Sequence, residues 1–173
     1  LTAKYDIVTS SPNGKVFYKI SDIYDKAGNK AVDIIGSSTL AIDTMKPLIS
    51  GTPILTGSVN ANWVASGEKI LLTFTSNEFI IDPTVTFKMA SQGPYTATVT
   101  NSNKDGKTWS AEYSVVAEQI GTVSYEVTMM DAAGNSNTVS SGLSQLKVDT
   151  VLPKISDTPS FTSSGSDDSW AKK

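Results

Sequence analysis

The sequence predicts an all-β chain built from small sandwiches of short strands. Apolar residues alternate with polar or small ones at a period of two, the pattern of a half-buried strand. No stretch carries a helical period with caps. One passage of text also occurs twice. Asp25-Lys-Ala-Gly-Asn29 returns as Asp131-Ala-Ala-Gly-Asn135, and Ile42-Asp43-Thr44 with Pro47 returns as Val148-Asp149-Thr150 with Pro153, each at an offset of 106 residues. A repeat of that length is one small domain, not a solenoid turn.

The ends align on the same repeat. Residues 1–8 match 109–116, residues 14–20 match 121–127, and residues 153–159 match 47–53. Trp170 follows as Trp63 does, one residue late. The expected organisation is three pieces. Residues 1–46 are the last three strands of one unit, residues 47–150 a complete unit, and residues 151–173 the first part of another. Any export signal is expected outside the chain.

Within the complete unit, strands lettered A to G are expected at 47–55, 69–76, 84–89, 95–100, 108–116, 121–130 and 139–149. In B, Ile70, Leu72 and Phe74 alternate with Leu71, Thr73 and Thr75. Trp109, Ala111, Tyr113 and Val115 alternate likewise in E, as do Val123, Tyr125, Val127 and Met129 in F. Turn signals fall at Ser66-Gly67, Asp82-Pro83, Gly93-Pro94, Lys104-Asp105-Gly106 and Gly134-Asn135. Seven short strands in about 100 residues point to an immunoglobulin-like, Greek-key sandwich.

Composition narrows the function. A net charge of −3 gives no electrostatic case for nucleic acid or anionic lipid. The chain has neither cysteine nor histidine. That removes disulfides, thiolate and imidazole metal ligands, a cysteine nucleophile and the usual general base. No apolar run approaches the roughly 20 residues that span a bilayer. An enzyme would have to rest on a carboxylate pair such as Glu78 and Asp131, placed beside a linker instead of in a groove. No catalytic residue is expected.

Strand direction then draws distant residues together. Successive strands run in alternate directions, so the B–C loop (Ser76-Asn77-Glu78) and the F–G loop (Asp131 to Asn135) share a pole with the incoming Asp43-Thr44 link. Asp43, Glu78, Asp131 and the Asn135 amide form the expected complete site. Like charges so close repel unless a cation sits among them. Oxygens on loops suit calcium, which takes six to eight of them at about 2.3–2.6 Å. Zinc would want nitrogen or sulfur. Gly134 is expected to curl the loop in the left-handed conformation.

Each piece also has an ordinary reading. Asp-x-x-Gly-Asn is a turn whose Asp bonds its own backbone, Asp-Thr before Pro is an extended strand end, and Glu78 is a solvated loop carboxylate. Their convergence favours the metal. Asp105 is assigned to its own hairpin. Asp25, Asn29 and Asp149 repeat the pattern without partner loops, as parts of incomplete sites.

The paired Asp-x-Ala-Gly-Asn and Val/Ile-Asp-Thr-x-x-Pro motifs, with Thr73 to Glu78 after strand B, resemble the tandem bacterial Ig-like repeats of large extracellular adhesins and surface-layer proteins. The resemblance covers residues 47–150 and both flanking pieces. It implies calcium at module junctions, held here by Asp43, Glu78, Asp131 and Asn135. It also implies a cell-surface location, with neighbouring modules and other copies in a filament or lattice as partners. The alternative is a module that binds a glycan or a protein receptor through tryptophan. Alternation with Tyr113 directs Trp109 to the core, and recurrence as Trp170 suggests that Trp63 plugs the base of the sandwich.

Overall fold

The computed structural model describes residues 2–160, and among them there are strands but no helix. No helix there is long and apolar enough to cross a membrane. Trp170 and the rest of the expected third piece beyond Ser160 lie outside the described residues.

Strands β1 (Gly14–Ile20) and β2 (Ile34–Ile42) form an antiparallel hairpin with Gly14 opposite Ile42 and Ile20 opposite Ile34. Ten strands follow: β3 (Ile49–Gly57), β4 (Trp63–Val64), β5 (Lys69–Ser76), β6 (Thr84–Met89), β7 (Gln92–Thr96), β8 (Thr98–Asn101), β9 (Thr108–Ser114), β10 (Ile120–Met130), β11 (Ser136–Ser140) and β12 (Lys147–Asp149). They make two sheets. One has the order β3-β5-β9-β8; the other has the order β4-β12-β10-β6-β7, with β11 also paired to β10.

Alternation decides which face of each strand is buried. Ile70, Leu72 and Phe74 of β5 point inward with Trp109 and Ala111 of β9. Val85, Phe87 and Met89 of β6 and Val123, Val127 and Met129 of β10 come from the other sheet into the same cluster. The two sheets thus share one core. Full burial of each such aliphatic or aromatic side chain stabilises by about 1.5–3 kcal/mol, an upper range because unfolded chains bury some surface too.

Strands B and C fall where periodicity put them, as β5 and β6. Strands D and G are each divided and β4 is added after A, so seven expected strands become ten. Strand A ends at Gly57, and the chain then crosses to the other sheet, where β4 runs parallel to β12. Strand D, expected over 95–100, is split at Ala97: β7 pairs with β6, and β8 pairs with β9 in the opposite sheet. Gly93-Pro94 therefore lies inside β7, and the turn falls at Ala90 and Ser91. Strand G is interrupted because two serine side chains replace ladder rungs. Ser141 Oγ accepts from Tyr125 N (2.8 Å), and Ser144 Oγ donates to Val123 O (2.7 Å).

The flanking pieces are less regular than expected. Residues 2–8 and 151–160 carry no strand. Their repeat counterparts explain this. β9 pairs only with β5 and β8, and β3 only with β5. Neither flank has such a neighbour among the described residues.

Candidate metal centre

The site begins where β10 ends. Asp131 follows Met130 directly, whereas Asp149 pairs with Ile120 at the other end of that strand. The Asp131 carboxylate organises its own loop: Oδ1 accepts from Ala133 N (2.8 Å) and Asn135 N (2.9 Å), and Oδ2 from Asn135 Nδ2 (2.8 Å). Gly134, at φ +92°, supplies the left-handed residue that closes the loop, with its N–H on Asp131 O at 3.3 Å.

The link after β2 is strapped to this pole by three asparagines. Asn135 Nδ2 donates to Asp43 O (3.1 Å) and Asn137 Nδ2 to Pro47 O (3.0 Å). Asn77 exchanges a pair of bonds with Leu48, its Oδ1 accepting at 2.7 Å and its N–H donating at 2.9 Å. Asp43 Oδ1 caps Met45 N at 3.0 Å, which turns the link.

The loop after β5 brings in the third carboxylate. Ser76 Oγ bonds Glu78 O, Ile80 N donates to Gly106 O (2.9 Å), and Ile81 N to Met130 O (2.8 Å). The loop seats closely because Gly106 has no side chain. Its φ is +67°, and a Cβ there would run into the Phe79 ring. Asp105 is fully used in its own turn, accepting from Lys107 N, Thr108 N and Thr108 Oγ1. Those bonds hold its carboxyl down at about 2.

The outcome is a cluster in which oxygens of Asp43, Glu78 and Asp131 all lie within 4.8 Å of one another. Asp43 is exposed, Glu78 half-buried and Asp131 buried. Glu78 Oε1 is shielded from solvent and has no hydrogen-bond partner among the described residues. Burial, and then the charges of Asp43 and Asp131, push the Glu78 carboxyl above its ordinary value, with Lys107 offsetting part of this. For Asp131, burial works upward, but hydrogen bonds from the Asn135 side chain and the loop backbone outweigh it and hold the carboxyl low. Three carboxylates at this spacing can surround a cation that prefers oxygen.

The expected residues separate into roles. Asp43, Glu78 and Asp131 are brought together. Asn135 joins them as a strap, its amide nitrogen committed to Asp131 and to the Asp43 carbonyl. Asn29 serves Asp25 alone, at 2.8 Å, and Asp149 caps Val151 N at 2.9 Å. Asn77 and Asn137 were not anticipated as straps. Their contacts span 29 and 90 residues, and only the asparagine next to Glu78 lay in a stretch already singled out. Of the tryptophans, Trp109 is in the core as expected, 5% exposed. Trp63 does not plug the base: Val64 takes the inward position, leaving Trp63 on the outer face and 48% exposed. No protein-family model matches the chain, and no curated protein is similar to it.

Proposed function

We propose that residues 47–150 are an immunoglobulin-like module of an extracellular tandem array, and that Asp43, Glu78 and Asp131 bind calcium at its joint with the preceding module. The divided strands group into seven by this reading: β3 with β4, β5, β6, β7 with β8, β9, β10, and β11 with β12. The chain then serves as a stretch of stalk, filament, adhesin or surface layer whose stiffness depends on the ion. No catalytic role is assigned to the cluster.

One observation carries the proposal. Three carboxylates from an inter-module link and two loops converge within 4.8 Å, and one oxygen of Glu78 is buried without a partner. Without a cation, that arrangement holds mutual repulsion and an unsatisfied acceptor. A calcium ion removes both and ties the link to two loops of the module. Interfaces between such modules are small, so the link is where flexion is limited.

The test is calcium titration of the whole chain, followed by small-angle scattering and thermal melting, with chelator reversal. Calcium should raise Tm and lengthen the particle. Unchanged dimensions and unchanged Tm would sink the proposal.

A further inference from the structure

Trp63 stands on the outer face of the β4-β12-β10 sheet, beside Lys147 on the next strand. This is the end of β10 that carries Ile120, about 35 Å along the strand from Asp131 at ~3.3 Å per residue. The indole is 48% exposed, and the Lys147 ammonium lies over its ring, 5.3 Å from the centroid, so a ligand stacking on that face must displace this flexible side chain. Lys147 makes no ion pair among the described residues.

A cleft of about 380 Å³ opens here, lined by Asn62, Trp63, Gln145 and Lys147. It is a shallow depression, open to solvent on one side. The side-chain amides of Asn62 and Gln145 make no hydrogen bond within the described residues. A second hollow of about 450 Å³ has Ile120, Thr122 and the Asp149 carboxylate in its wall. Trp63 and Lys147 line both depressions.

The chemistry of the lining selects a ligand class. An indole face takes the apolar C–H face of a pyranose ring. Free carboxamides offer a donor and an acceptor each, which matches vicinal hydroxyls. An unpaired ammonium adds a site for a carboxylate. An apolar peptide would leave both amides and the ammonium unmatched. We infer that the Trp63 cleft binds an acidic saccharide, with one pyranose stacked on Trp63, its hydroxyls on Asn62 and Gln145, and its carboxylate on Lys147.

The experiment uses the whole chain in calcium-containing buffer with a uronic-acid tetrasaccharide and its neutral hexose counterpart. Binding is read by calorimetry and by the indole N–H signal of Trp63, assigned from W63F. The acidic sugar should bind at least tenfold more tightly and shift that signal. Trp63→Ala should abolish binding while Tm stays unchanged, because the side chain lies outside the core. Lys147→Gln should bring the acidic sugar down to the neutral level. An unmoved Trp63 signal with both sugars, or equal affinity for the two in the unmodified chain, overturns the inference.

Discussion

Two loops of nearly the same text, Asp25–Asn29 and Asp131–Asn135, take the same shape in different surroundings. In both, Asp Oδ1 accepts the N–H groups two and four residues on at 2.8–2.9 Å, and Asp Oδ2 accepts the Asn amide at 2.8 Å. Both close with a left-handed glycine, at φ +90° and +92°. The loop is therefore a local product of its five residues. What differs is the company it keeps. Asp131 is buried and meets Asp43 and Glu78, whereas the Asp25 loop is exposed and belongs to no such cluster among the described residues. The motif makes the loop; the sandwich makes the site.

The strands beneath the loops repeat the contrast. Ile20 of β1 is 43% exposed, while Val127, its counterpart in β10, is fully buried between the two sheets. A two-stranded hairpin has one layer, and one layer cannot enclose a core.

The contrast can be broken most forcefully at the aspartates. Asp131→Ala removes three hydrogen bonds to a buried carboxylate and should cost about 3 kcal/mol, from ~1.5 kcal/mol or more for each charge-assisted bond less partial compensation. Asp25→Ala should leave the main urea transition unmoved. Equal losses would show that the loop, not its surroundings, carries the stability.

Calcium comes next. At a hundredfold excess over Kd it should add about 2.7 kcal/mol to unfolding. Hydrogen exchange should slow at Ala133 and Asn135 but not at Ala27 and Asn29; slowing at both loops would remove the distinction. A core comparison follows. Val127→Ala should cost about 2 kcal/mol through lost transfer energy and a cavity, and Ile20→Ala no more than about 0.5 kcal/mol, measured by chemical denaturation.

The smallest effect is pH-dependent and is read without metal. The Glu78 carboxyl lies above its ordinary value in the folded chain, so the folded state holds that proton more tightly. Stability should fall as pH rises from the ordinary carboxylate range through the raised value. Glu78→Gln should abolish that decline, and calcium should too. Asp131, held low, has the opposite sign: its contribution is present at neutral pH and is lost as pH falls through its folded value.

Periodicity located β5 and β6 to the residue, because each strand stays in one sheet with a clear inner and outer face. It failed where a strand changes partners. Nothing in the alternation around Ala97 says that the next rung is made with the opposite sheet, and Ser141 and Ser144 look like ordinary strand residues until their hydroxyls bond β10. Asp43, Glu78 and Asp131 were legible from strand direction alone, since direction fixes which pole a loop occupies. The orientation of Trp63 was not. A two-residue strand has no period to read, and its phase is set by Val64 entering the core.

The short parallel pairing of β4 with β12 has a mechanical consequence. The chain enters this unit at the Asp43 pole and leaves through β12 at the opposite pole. If the unit is one of a tandem array, as proposed, tension along it pulls β12 lengthwise past β4. The rungs joining them, among them Lys147 N to Asn62 O at 2.9 Å, lie across the pull and are loaded together in shear, not peeled one by one. On its other side β12 is held by three pairs with β10, so the load divides between the two seams, at the pole farthest from the carboxylate cluster.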